Sequence, residues 1–384
     1  MKDVAVAEVS GLAQRQYYAR PADQRFSSID ALEASVVGRR NRSVAFDTPI
    51  DAFNFEADAN GVFVRARKVD EPAIPSHYSF TQTASLVKFN ADSLRLLGKG
   101  GRHDLVAQNL NAALKIRDGK HDKGVKAMLV NAEDGESAPT LQAVTSQSYG
   151  RIWDADVVAA TRKILDANPQ FDNPKEWGGV KGGLYASDRD VFLLYVDGGS
   201  IVDGGRDLLN GGDRDQLHRG FMVWNSEVGS ATFGIAAFLF RFICGNHMIH
   251  GIEGTKLVKI RHTSGGPERF ITEAIPALKE YVNASALPIE TAVRASKDYA
   301  LPTDEDKFTS FFVGKGFTKA ETKKAKAFAE AEEGGAGSLW QMQQGFTRSA
   351  RDLSFMDART DLEKRAGKLL DLVGDKTKAS VTVA

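Results

Sequence analysis

The chain of 384 residues has one cysteine, Cys244, so no disulfide can form within it. Its fold must be held by buried apolar surface. At 42% hydrophobic and 26% charged residues it has the composition of a globular protein, and it is long enough for two or three domains. A lone cysteine also suits a reducing cytosol. There is no excess of charge, with 50 Lys and Arg against 50 Asp and Glu. Attraction of the whole molecule to a polyanion is thereby excluded, and any electrostatic footprint must be local. Long apolar runs are missing too. The longest window, Gly234 to Ile243, contains Arg241 and is too short to span a bilayer. The opening Met-Lys-Asp-Val-Ala-Val-Ala-Glu has no apolar stretch of signal length. The expectation is a soluble protein of the cytoplasm with no membrane partner.

Further absences limit the chemistry. The glycine-rich stretches at Gly98-Lys-Gly-Gly-Arg, Gly198-Gly-Ser and Gly204-Gly-Arg contain no Gly-x-x-x-x-Gly-Lys-Ser/Thr. Gly179-Val-Lys-Gly-Gly lacks the order of a dinucleotide fingerprint. Ser226 is not set in a Gly-x-Ser-x-Gly elbow. No catalytic residue and no cofactor is assigned. Cys244-x-x-His247-x-x-His250 has ligand-type side chains, but on a helix residues six apart stand about 120° out of alignment. A core cysteine with satisfied histidines is the preferred reading, and a metal the weaker one. Asp197, Asp203, Asp207, Asp213 and Asp215 fall in a segment, 197–215, that reads as a long loop or lid. Aspartates there suit turns, or could hold Mg²⁺ or Ca²⁺.

Periodicity assigns an α+β fold, with a mixed or antiparallel sheet, packed helices and a helical C-terminal region. Strands are expected near 61–69, 126–130, 141–145, 191–196, 221–224 and 257–262. Val191 to Val196 is apolar on both faces, as in a central buried strand. Asp134-Gly135 marks a hairpin. Helical spacing runs through Tyr78–Leu114 and Trp153–Ala167, from Ala231 onward, and over most of 268–373. Thr318 with Glu321 fits a capping box. The organisation expected is an arm with first strands over 1–77, an α+β core over 78–265, a helical region over 266–375 and a tail over 376–384.

Two constellations remain. Between Lys88 and Lys126 lie Lys88, Arg95, Lys99, Arg102, Lys115, Arg117, Lys120, Lys123 and Lys126, nine cations against four aspartates. Such a stretch could contact phosphates, or simply be a solvated surface balanced by acids elsewhere. Phe89 is the one aromatic within it, which leaves little for base stacking. Smaller clusters precede it at Arg39, Arg40 and Arg42, and at Arg65, Arg67 and Lys68. The other constellation is Asn225, Ser226 and Glu227, followed by Arg241 and Asn246, set among apolar residues. Glu227 could pair with Arg241, with both asparagines closing a hydrogen-bonded network. That network is either structural, the preferred reading, or the floor of a site.

Asn225-Ser-Glu-Val-Gly, an apolar run and then Arg241-Phe-Ile-Cys-Gly-Asn-His-Met-Ile resemble the phage/plasmid-like domain-of-unknown-function family 932. Leu141-Gln-Ala-Val-Thr-Ser-Gln-Ser-Tyr-Gly-Arg-Ile-Trp-Asp is similar to an upstream segment of that family, and Tyr78–Leu114 to its leading helical part. The chain departs from the pattern at His247, where glycine is usual, and at Gln142, where arginine is usual. The resemblance implies a protein carried by phages, plasmids and integrated elements, with no established catalytic residues. The expectation is a non-catalytic nucleic-acid-associated protein, a homo-oligomer that binds or anneals single strands in replication or recombination. The alternatives are a metal-dependent enzyme acting on DNA or nucleotides, and a virion or scaffold component.

Overall fold

The computed structural model describes residues 21–66, 71–117, 124–173, 183–205, 216–241, 247–249, 258–285, 287–350, 352–353 and 356–373. Ser28 caps helix α1 (Ile29–Asn41) by accepting the Ala31 N–H. Strands β1 (Ser43–Thr48), β2 (Asn54–Ala57), β3 (Val62–Arg65) and β4 (Ile74–Pro75) follow. Next come helices α2 (His77–Leu86), α3 (Ala91–Lys99) and α4 (His103–Arg117), then β5 (Val125–Val130) and β6 (Thr140–Ser146). A four-stranded sheet has the order β1-β5-β6-β4, antiparallel except for β4 against β6. Its apolar face packs on α2, α3 and α4 around Val106, Leu110, Ala127, Leu129 and Leu141.

Helix α5 (Asp154–Asp166) leads into the larger sheet. Its strands are β7 (Phe171–Asp172), β8 (Leu184–Ala186), β9 (Val191–Asp203), β10 (Gln216–Asn225), β11 (Phe233–Arg241), β12 (His247–Ile249) and β13 (Val258–Ile260). The order is β12-β11-β10-β9-β7, with β13 on β11 and β8 on β9, all antiparallel. The fold is therefore α+β, as expected. Leu193, Tyr195, Phe221 and Val223 point to one core, shared with α1 and α5. Phe192, Leu194, Met222 and Trp224 alternate with them and are buried on the other face. Strands buried on both sides explain the continuous apolar runs of the sequence.

Two expectations are corrected here. The run from Ala231 is not a helix but strand β11. A continuous apolar segment satisfies either period, and the arbiter is its partners. β11 pairs with β10 along eight positions and with β12 and β13 on its other side. Two glycines seat aromatic rings across the β10–β11 pairing: Gly220 faces Phe238, and Gly234 faces Trp224. A Cβ at Gly234 would lie 2.1 Å from Trp224 Cζ2. Nor is 197–215 a loop throughout. β9 continues through Asp197 to Asp203, while Asp207, Asp213 and Asp215 lie outside the described residues. Asp197 is tolerated inside a buried strand because Arg219 meets it at 3.2 Å, beside a register shift between His218 and Gly220.

After β13 come α6 (Gly266–Arg269), a π-helical turn over Phe270–Ala274, α7 (Ile275–Asn283), α8 (Leu287–Asp298), α9 (Glu305–Val313), α10 (Lys319–Glu332), α11 (Leu339–Ala350) and α12 (Met356–Gly367). The Thr318–Glu321 capping box is formed. Phe312, Phe317, Trp340 and Phe346 build a core that closes over Val202, Leu217 and Leu239 at one end of the large sheet.

Candidate functional site

At the opposite end of the β10–β11 pairing the polar motif folds into a buried clasp. α5 starts at Asp154, and its N-cap residue Trp153 has no side-chain cap to give. Glu227 supplies one: its Oε2 accepts the Asp154 N–H at 3.1 Å. Asp154 Oδ1 accepts from Asn225 Nδ2 at 2.6 Å, and Asn225 also donates to the Ile152 carbonyl at 2.9 Å. Arg39 of α1 lies between the two acids. Its Nη2 is 2.7 Å from Asp154 Oδ2 and its Nε 2.9 Å from Glu227 Oε1, while Nη1 donates to the Ser187 carbonyl. Arg151 donates to the backbone carbonyl of Glu227. Ser226 is held by backbone on both sides, donating to the Arg189 carbonyl at 2.6 Å and accepting the Ser230 N–H at 2.9 Å.

Asp154, Asn225 and Ser226 are fully buried and Glu227 nearly so. Burial, and then the charge of Glu227, push the Asp154 carboxyl well above the usual carboxylate range, against the pull of Arg39. Burial works against the charge on Arg39, but Glu227 and Asp154 outweigh it and hold its pKa above the ordinary value. Beside the clasp, Tyr149 stacks on His262 with ring centroids 5.0 Å apart, and burial takes the imidazole down to about 4. Both Asp154 oxygens and Glu227 Oε2 accept hydrogen bonds, Glu227 Oε1 meets Arg39 Nε as an ion pair only, and Asn225 Oδ1 has no hydrogen-bond partner among the described residues; buried together, these groups can fix chain segments to one another. The two carboxylates are buried rather than open to solvent.

Of the five network residues read from the sequence, Asn225, Ser226 and Glu227 come together. Arg241 opposes Leu217 at the far end of the same strand pair, roughly 23 Å along at about 3.3 Å per residue, so Glu227 takes Arg39 instead. Asn246 lies outside the described residues. Arg39 was legible only as one of a basic cluster, and Asp154 only as an acid at a helix start. They are 115 positions apart, and no spacing rule links them.

The family model described as "Domain of unknown function (DUF932)" matches residues 140–362, more than half of the chain. This chain belongs to the DUF932 family. The match takes in Asp154, Asn225 and Glu227, whereas Arg39 comes from a helix before it. Comparison with curated proteins and with solved structures finds no match.

The other candidate feature of this DUF932 member is open. A cleft of about 880 Å³ lies between the ends of α2 and α4 and the edge of the smaller sheet. Leu86, Lys88, Phe89, Ala113, Ile116 and Gln147 are among its walls, and no carboxylate is among the described residues that line it. Phe89 is 38% exposed and Ile116 85%. Lys88 is the one non-glycine residue with positive φ, 63°, among the described residues. It ends α2 in a Schellman motif, with the Phe89 N–H on the Ala84 carbonyl at 2.8 Å and the Lys88 N–H on the Ser85 carbonyl at 3.1 Å. Glycine is the usual residue there, and a side chain in that conformation costs about 1 kcal/mol.

The nine cations of the basic stretch divide. Arg95 is 2.9 Å from Asp92 and donates to Thr81 Oγ1 and the His77 carbonyl. Arg102 pairs with Asp104 at 2.8 Å, and Lys126 donates to the Tyr149 carbonyl at 3.0 Å. Lys88, Lys99 and Lys115 are exposed, without an ion-pair partner among the described residues. Arg117 is the last residue of α4; Lys120 and Lys123 lie outside the described residues. Of the three exposed lysines, Lys88 lines the cleft, Lys115 precedes the cleft residue Ile116 on α4, and Lys99 ends α3. The earlier basic cluster is used internally: Arg39 in the clasp, Arg40 on Asp156 and Arg42 on Glu133. Arg65 pairs with Glu56, and Arg67 and Lys68 lie outside the described residues.

For a metal, no group of three or more His, Cys, Asp or Glu among the described residues is placed to hold an ion. His247 lies in β12 opposite Phe240; Cys244 and His250 lie outside the described residues. No helix among the described residues is long and apolar enough to cross a membrane.

Proposed function

We propose that this protein is a non-catalytic nucleic-acid-associated protein that holds the polyanion along the cleft lined by Lys88 and Phe89. It serves a phage, plasmid or integrated element in replication or recombination, acting as an oligomer in the host cytoplasm. The observation that carries the reading is a coincidence of three features at one place. The open cleft, the exposed cation Lys88 with no ion-pair partner among the described residues, and the exposed apolar side chains of Phe89 and Ile116 share one surface. Cations supply phosphate contacts and apolar faces supply sequence-tolerant contact with bases. Nucleic-acid contact at the cleft is favoured over chemistry at the clasp because Asp154 and Glu227 are buried there.

The test is fluorescence anisotropy with a labelled oligonucleotide of about 30 nucleotides at two salt concentrations. Micromolar binding that weakens with salt supports the reading, with log K falling by roughly 0.7 to 0.9 per phosphate neutralised for each decade of salt. Absence of binding at low salt rejects it.

A further inference from the structure

We infer that Lys88 and Phe89 form a subsite for one unpaired nucleotide, so that the strand held in the cleft is single. The inference rests on the nucleic-acid reading above and deepens the single-strand expectation by naming the residues that select an unpaired base. It begins from strain. A lysine at φ 63° occupies a place where glycine is at ease, and it does so at the rim of the described cleft. Nothing in the packing requires that side chain. It is exposed and makes no ion pair with a described residue. Backbone strain kept for a solvent-facing cation at a cleft is the pattern of a functional position.

The neighbouring residue is fixed as firmly. The Phe89 N–H is bound to the Ala84 carbonyl, and Asn90 caps α3 by accepting the Ser93 N–H at 2.9 Å. Lys88 and Phe89 thus occupy a short link clamped by a helix end on each side. A ring held this way, with much of its surface in water, is a preorganised stacking platform. The facing wall is the end of β6, where Ser146, Gln147 and Ser148 are exposed. The two serine hydroxyls are 3.1 Å apart and bond to each other, whereas the Gln147 amide bonds to no described residue. It can therefore donate to and accept from a base edge. Gly124 lets that wall sit close, since a Cβ there would come 2.6 Å from Gln147 Nε2. The chemistry is complete for one nucleotide: a base face on Phe89, its edge on Gln147 and its phosphate on Lys88. A duplex keeps its base faces stacked inside, so only an unpaired base can reach the ring.

Anisotropy on the full chain, with a single strand of about 30 nucleotides and with its duplex, tests this, read beside the thermal midpoint. The wild type is expected to bind the single strand about tenfold more tightly than the duplex. Lys88→Gly is expected to raise the midpoint by a few degrees, by removing the strain, yet to weaken single-strand binding severalfold; Lys88→Arg retains binding. Phe89→Leu is expected to weaken the single strand about tenfold and to leave the duplex unchanged. If Lys88→Gly or Phe89→Leu binds the single strand like the wild type, or if the duplex binds as tightly as the single strand, the subsite is rejected. The nucleic-acid reading survives that outcome. If neither form binds at low salt, both readings fall together.

Discussion

The clasp around Asp154 and the cleft beside Lys88 each bring charged side chains to one place, and they treat them in opposite ways. In the clasp one guanidinium is shared by two carboxylates, the polar atoms are enclosed, and the charges tie α1, α5 and β10 together. In the cleft Lys88 stands in solvent beside an exposed aromatic ring, and no acid is among the described residues that line the walls. Arg39 and Lys88 belong to clusters that look alike in the sequence. The difference between them teaches that a charge advertises a partner only when the fold has not already provided one.

The strongest way to break the comparison is to remove Arg39. Arg39→Met leaves two buried acids uncompensated and is expected to lower stability by about 3–5 kcal/mol in urea denaturation. The affinity of the folded fraction for an oligonucleotide should not move. A loss under about 1 kcal/mol would mean that the clasp is not a structural tie. Next is Gly234→Ala, which pushes a methyl into the Trp224 ring at the clasp end of the β10–β11 pairing. A loss of about 1–3 kcal/mol is expected, with binding again unaffected.

The third test is pH. The folded pKa of His262, about 4, is below its ordinary 6.5, so the native state holds fewer protons. The stability it contributes is complete above 6.5 and is lost as pH falls from 6.5 through 4, by on the order of 1 kcal/mol after allowing for partial exposure. Asp154 acts in the opposite sense, because its folded pKa is raised and proton uptake favours the native state. Denaturation midpoints for the wild type and His262→Gln across that range check the sign. The variant should lose the downward slope, and an unchanged slope would assign it elsewhere. The smallest effect on stability is expected at the cleft. Lys115→Glu should stay within about 0.5 kcal/mol of the wild type while reducing the salt dependence of binding by roughly one phosphate. An unaltered salt slope would separate Lys115 from the polyanion.

Much of the architecture was open to reading along the chain. The β5–β6 pair, helix α5, strand β9 and the capped helix at Thr318 follow from period, turn and cap signals that act over a few residues. β11 did not follow, because an apolar run carries no period of its own and its identity rests on strands to either side. The glycine–aromatic pairs Gly220–Phe238 and Gly234–Trp224 were the available signal, visible once two runs are set antiparallel. Asp197 misled as a loop residue because its counter-ion, Arg219, is on another strand. At the candidate site the basic stretch identified Lys88 and Lys115, but not that Arg95, Arg102 and Lys126 are engaged within the fold.

The sequence by itself determined the α+β class, the family motif at Asn225–Glu227 and the positions of the cations. Each is written in local pattern, where neighbours in the chain are neighbours in space. Only the tertiary structure decided which charges meet. Arg39 reached Asp154 across 115 positions, and Lys88 was turned by a helix end onto an open cleft. The physical reason is that electrostatic energy depends on distance and burial after folding, and neither can be counted along the chain.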